Sequence, residues 1–338
     1  MNWEIEKIYN FRWKSPWKDG NAHFGFHDKK GNQYIINTEF NWIACIGEDD
    51  VLAWSAGPES VPNSKRHIFL DINVPNSGCV AKDGSVLFAS EANSIIFKIE
   101  PEKGIGYEFI NAKKMGMGYI GSCEYDLDGN IWVIELTGSR IWKLDPQGNL
   151  LLTIGTGSKG FQKGTVSFDE AEFGYMACLK CGADGNLYVM DSGNYAVRML
   201  NPYEQTVTTL VGTGEPGYSG DGGDASQAML GKGSYIIHFY EGPWYLSLDE
   251  ACNIYIADTG NNVLRRVDRQ SNIITTIAGK HAVDRTKRLH PEEKDIWNLN
   301  MPYMISVEYF RGRLFVSDWR GDLVIMRQHD ERSENNDT

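Results

Sequence analysis

The stretch NIYIADTGNNVLRRVD, residues 253–268, holds two short apolar runs on either side of a polar Asp-Thr-Gly-Asn-Asn turn. Alternating apolar residues around a Gly-containing turn read as a β-hairpin. The same hairpin recurs along the chain. Residues 258–267 align without gaps with DSGNYAVRML at 191–200 and ELTGSRIWKL at 135–144, and weaker copies lie at 90–99, 37–46 and 318–327.

Each hairpin follows a further strand and a tight turn, as in PNSGCVAKDG (75–84), IGSCEYDLDG (120–129) and MACLKCGADG (176–185), with matching segments at 22–31, 243–252 and 302–312. Asp-Gly suits such a turn because glycine takes positive φ at little cost. A more variable strand completes each unit, for example QTVTTLVG (205–212) or SNIITTIAG (271–279). Antiparallel four-strand units repeating every 45 to 65 residues or so, none able to bury both its faces alone, predict an all-β fold, a single β-propeller. Six units predict six blades over residues 1–330. The last unit has only three strands of its own, and the unassigned strand at residues 4–11 is expected to complete it, hiding a sheet edge. Residues 331–338, ERSENNDT, read as a polar tail.

Composition narrows the function classes. The chain has 338 residues, 41% hydrophobic, with a net charge of -12 from 45 acidic and 33 basic side chains. No Lys/Arg run is present to follow a phosphate backbone, so a nucleic-acid partner is not expected. The start lacks the apolar core of a secretory signal and no run is long enough for a membrane span, which predicts a cytoplasmic protein without a membrane partner. Six cysteines sit in predicted strands and read as reduced, buried thiols. Cys178 and Cys181 form a CxxC, but residues i and i+3 of a strand point to opposite faces, so their thiolates do not converge on one ion.

The segments IADTGNNVLRRVD, TTIAG and GTGEPGYSGDGGDASQAML (212–230) closely resemble NHL-repeat propellers, and FDEAEF (168–173) and WNLNMP (297–302) resemble the same inter-blade connection in degenerate form. That family includes both enzymes and binding platforms. The turn itself reads as structural, because Asp and Asn side chains there hydrogen-bond nearby backbone. The loop carrying Asp221 and Asp224 reads as a long connection, since it lacks the bidentate Glu of a calcium loop.

The innermost strand of each blade lines a propeller's channel. Its opening positions are His23, Asn76, Gly121, Ala177, Trp244 and Tyr303. Two contexts there, EGPW at 241–244 and PNS at 75–77, also resemble the SMP-30/gluconolactonase group of metal-dependent lactone hydrolases. The resemblance implies Glu241 and Asn76 as ligands to a divalent cation. His23 stands where a peptidyl-hydroxyglycine lyase branch of NHL propellers has zinc histidines. The expectation is therefore a mixed site of Glu241, Asn76 and His23 for Ca, Zn or Mn, with Glu124, Glu135 or His23 in catalytic roles. Trp244, Tyr303, Tyr175 and Phe24, with Tyr245, predict an aromatic wall for a small-molecule substrate. Two readings follow: a metal-assisted hydrolase or lyase acting on a carbonyl or lactone at the channel mouth, or a non-catalytic propeller that presents its rim loops to a ligand or a protein partner.

Overall fold

The computed structural model describes residues 3–10, 22–38, 40–49, 51–232, 242–284, 287, 289–318 and 321–328, with the side chains of residues 10 and 22–24 left aside. The polar tail at 331–338 and Glu241 lie outside the described residues, as do the side chains of His23 and Phe24.

Six small sheets form a six-bladed β-propeller. From the channel outwards, blade 2 comprises Pro75–Val80, Val86–Ser90, Ile95–Glu100 and Ile105–Asn111; blade 3 comprises Ile120–Tyr125, Ile131–Glu135, Arg140–Leu144 and Leu150–Ile154. Blade 5 runs from Leu246–Leu248 to Ile274–Gly279. Blades 1 and 4 each gain a short fifth strand at the rim, His67–Phe69 and Thr165–Ser167. The N-terminal strand Trp3–Asn10 pairs antiparallel with Asp322–Gln328, so the last blade is completed by the start of the chain. Closure removes the exposed edge that three strands would leave. Among the described residues, no helix is long and apolar enough to cross a membrane.

The hydrophobic cores lie between blades. In Ile254–Asp258, Ile254 and Ile256 pack towards Tyr188 and Met190 of blade 4, while Tyr255 and Ala257 pack towards Met304 and Val316 of blade 6. Alternate residues of a strand point to opposite faces, and here each face meets a neighbouring blade, so the strand is buried at every position.

The repeated turn ties these layers together. Asp258 is fully buried and accepts hydrogen bonds from the Gly231 amide at 2.7 Å and Asn261 Nδ2 at 2.9 Å. Thr259 Oγ1 donates to the Met304 carbonyl at 2.7 Å, and Asn262 Oδ1 accepts from the Tyr303 amide at 2.8 Å, both in blade 6. The DTGNN sequence is thus an inter-blade bracket. Cys252 departs from the expected placement of every cysteine within a strand: it occupies the turn before Ile254–Asp258 with φ of +60°, where the other blades have a glycine of positive φ, Gly31, Gly84, Gly129, Gly185 and Gly312. All six cysteines are free thiols.

Candidate functional site

The inner strands all run in the same direction along the channel, so their first residues define one mouth and their last residues the other. The sequence-predicted residues divide between the two. At the opening mouth, Trp244 packs against Tyr303 and Ile305, while Tyr175 packs into the core between blades 3 and 4. Asn76 donates from Nδ2 to Glu91 Oε2 at 3.1 Å, and its Oδ1 accepts from the Tyr245 hydroxyl at 3.3 Å. Both ends of that amide are engaged within the protein. Of the expected metal ligands only the Asn76 side chain is described. Among the described residues, no three His, Cys, Asp or Glu side chains gather into a metal-binding group.

Glu135 closes the second strand of blade 3. Its Oε1 accepts from the Gly118 amide and its Oε2 from Trp142 Nε1, each at 2.8 Å. It occupies the bracket position held by Asp191 and Asp258 in blades 4 and 5, so its carboxylate is committed to joining strands. Antiparallel pairing opposite Ile120 sets it at the other end of the blade from Glu124.

Glu124 belongs to a different site. A cavity of about 760 Å³ opens where the inner strands end, within the volume range of small-molecule sites. Each blade contributes one equivalent wall residue: Phe26, Cys79, Glu124, Lys180, Ser247 and Glu308. Each pairs across its blade with the same position of the second strand, Tyr34, Leu87, Trp132, Tyr188, Tyr255 and Phe315 respectively. Ring closure therefore brings together residues spread from 26 to 308.

Three of the six are acidic or basic side chains, Lys180 opposite in sign to Glu124 and Glu308. Lys180 Nζ lies 3.6 Å from Glu124 Oε2. Burial alone would lower the Lys180 ammonium pKa, but the Glu124 and Glu308 carboxylates outweigh burial and hold it above the ordinary lysine value. Burial raises Glu124, against the pull of Lys180 and of the Tyr125 amide, which donates to Glu124 Oε1 at 3.1 Å. Burial also pushes Glu308 up to about 7. The Lys180 charge works against this shift and Glu124 works with it, while the main-chain amide of His27 donates to the Glu308 carboxylate. His27, stacked on Phe310 at 4.3 Å between ring centroids, is held neutral by burial, with its pKa lowered to about 3. A fixed cation thus stands beside one carboxylate that pairs with it and another poised to exchange a proton near neutral pH.

Sequence reading singled out Glu124 but missed Lys180 and Glu308. The two cysteines of CLKC drew attention, whereas the lysine between them carries the charge. The usable signal was register: Lys180 and Glu124 each stand five residues before the glycine of the Asp-Gly turn, Gly185 and Gly129. Glu308 escapes that count because the turn after it is one residue shorter, which leaves it four residues before Gly312.

Comparison with known proteins agrees on architecture. No family model matches the chain. Residues covering 26% of it are 32% identical, over 88 residues, to protein SUPPRESSOR OF QUENCHING 1, chloroplastic, of Arabidopsis thaliana, a match that spans 7% of that much longer protein. Among solved structures, virginiamycin B lyase from Staphylococcus aureus is similar over 97% of this chain and all of its own, with a TM-score of 0.58 and 14% identity. A Bacteroides thetaiotaomicron structural genomics protein of unknown function matches over 96% of this chain and 76% of its own at a TM-score of 0.66 and 13% identity. An auxiliary nutrient binding protein from the same organism matches to the same extent at 0.65 and 12%. At such identities the likeness is one of fold.

Proposed function

We propose that the protein is a small-molecule enzyme, a hydrolase or lyase acting on a carbonyl-containing substrate, and that its chemistry takes place in the cavity where the inner strands end. The observation that carries this reading is Glu308, titrating near 7 on the cavity wall beside the charged Lys180. A carboxyl at that value both donates and accepts protons at neutral pH, the condition for general acid–base catalysis. Lys180 faces the same space and stabilises negative charge developing on a carbonyl oxygen, an effect strengthened by the low dielectric of a buried site. Glu124 positions the Lys180 ammonium. The likeness to virginiamycin B lyase supports the reading to the extent that this propeller fold carries lyase chemistry there.

The NHL and SMP-30 resemblances belong to this proposal as family readings of the repeat. A divalent ion at Glu241, Asn76 and His23 is a separate proposal for the opposite mouth, tested by elemental analysis of the purified protein. A non-catalytic ligand-binding role is the second reading. It is favoured by the Glu124–Lys180 pairing, which leaves the wall close to neutral, and by the nutrient-binding protein among the fold relatives.

The test is a turnover and binding screen against lactones and esters, with Glu308→Gln and Lys180→Met alongside the wild type. Glu308→Gln should lose about 10² to 10⁴ in turnover while still binding, and Lys180→Met should lose both. Ligand binding without turnover in the wild type would establish the scaffold reading instead.

A further inference from the structure

Strand register extends the cavity wall outwards as six rows. Each wall residue pairs with the second strand of its blade, and the residue it meets there pairs in turn with the third strand. At that third position stand Lys98, Lys143, Met199, Arg266 and Ile325 in blades 2 to 6, and Cys45 in blade 1. Five of these side chains are long or branched and one is short. In blade 3 the long chain covers the aromatic ring of its own row, with Lys143 Nζ 5.1 Å from the centre of Trp132. Cys45 ends at its Sγ and leaves the equivalent ring, Tyr34, less covered.

The cavity follows that difference. In blade 1 it runs out along the whole row, lined by Phe26, Tyr34, Cys45, Trp54 and Ala53, with the exposed Arg66 at its outer end. Phe26 pairs with Tyr34, Tyr34 with Cys45 and Cys45 with Trp54, so all four strands contribute. In the other five blades the cavity stops at the first strand: none of Leu87, Trp132, Tyr188, Tyr255 or Phe315 lines it. Neighbouring strands lie about 4.8 Å apart, which carries this arm roughly 10 Å from the strand of Phe26 to that of Cys45.

The arm is narrow and its walls are rings. Tyr34, Cys45 and Trp54 are buried and Ala53 is half-buried. Phe26 stacks on Tyr34 with centroids 4.9 Å apart, and Trp54 tilts against Tyr34 at 5.8 Å. The Tyr34 hydroxyl donates to Asp28 Oδ2 at 3.2 Å, which fixes the ring. Burial pushes the Cys45 thiol up to about 12, so it adds no charge. At the inner end, the main-chain amide of His27, next along the chain from Phe26, donates to the Glu308 carboxylate.

We propose that this arm is a specificity subsite, and that it holds a planar aromatic group of the substrate whose carbonyl lies beside Lys180 and Glu308. A gap left by one shortened side chain admits a flat group and rejects a branched one, and the rings around it favour an aromatic occupant over an aliphatic one. The position of the carbonyl rests on the activity proposed above; the arm itself does not.

The experiment compares the wild type, Cys45→Ala and Cys45→Met. Methionine is the side chain that blade 4 carries at this position, and it should close the arm, whereas alanine keeps it open. Two esters are compared, methyl 2-naphthylacetate and methyl acetate, and the binding of 2-naphthylacetate is measured by calorimetry. The wild type should favour the naphthyl ester by about tenfold or more in kcat/KM. Cys45→Ala should keep that preference. Cys45→Met should lose it through a higher KM, with methyl acetate turned over as before, and should melt no lower than the wild type because it fills open space. If neither ester is turned over, the proposed activity fails and calorimetry decides the arm: 2-naphthylacetate bound by the wild type and Cys45→Ala but not by Cys45→Met upholds it. Equal binding of 2-naphthylacetate by all three proteins, or by none, would overturn the proposal. So would a lowered melting temperature in Cys45→Met, the mark of an overpacked site with no room for a ligand.

Discussion

The hydroxyl of Tyr245, at the start of blade 5, donates a hydrogen bond to the main-chain carbonyl of Asn76 in blade 2, directly across a six-membered ring. The tyrosine is a crossbar. It separates the mouth where the inner strands begin from the cavity where they end, and Lys180 and Cys178 lie close enough to influence its titration.

Tyr245→Phe removes that bond and leaves the ring in place. The Asn76 carbonyl loses its crossbar donor, so stability in urea should fall by about 1 to 2 kcal/mol. An unchanged midpoint would mean that the crossbar contributes nothing to stability.

Glu308 should leave a signature in stability against pH. Its folded pKa, about 7, lies above the ordinary glutamate value of 4.5, so between those values the folded protein keeps a proton that the unfolded chain has released. The stabilisation is complete below pH 4.5 and is lost as pH rises towards 7 and beyond. Asp191 and Asp258, which burial raises to about 6, act in the same direction. Glu308→Gln should flatten part of the decline between pH 5 and 8 and gain on the order of 2 kcal/mol at pH 8 relative to the wild type. Parallel pH profiles for the two proteins would place the Glu308 pKa in its ordinary range.

The bracket carboxylates should matter more than any surface charge. Asp258→Ala removes the acceptor for the Gly231 amide and Asn261 Nδ2, and leaves Arg265 buried with Asp221 as its remaining carboxylate partner. A loss of about 3 to 5 kcal/mol is expected from denaturant unfolding. By contrast, Arg311→Ala, breaking an exposed pair with Glu48 at 3.2 Å, should cost under about 1 kcal/mol.

Deleting residues 1–12 removes the strand that pairs with Asp322–Gln328 and uncovers Val324 and Met326. The exposed edge should drive self-association, read by light scattering at micromolar concentration. A truncated chain that stays monomeric and melts like the full protein would show that closure by this strand is dispensable.

The sequence alone determined the architecture, because a propeller is specified locally and repeatedly. The Asp-Thr-Gly-Asn-Asn turn, the Asp-Gly turn and the short apolar strands between them are each legible within about ten residues, and six copies with one strand to spare dictate both the blade number and the closure by Trp3–Asn10. The bracket role of Asp258 was legible for the same reason: part of what satisfies it, Asn261, is three residues away. The site was a different matter. Glu124 stood out as an acid near a strand end, and a basic neighbour was a foreseeable partner. That the partner is Lys180, 56 positions on, that Glu308 joins them from the last blade, and that all three face the mouth where strands end were decided by tertiary structure. Strand alternation tells which residues share a face, but only closing the ring sets six distant wall residues around one space, and only the resulting burial moves Glu308 into the range where it exchanges protons at neutral pH.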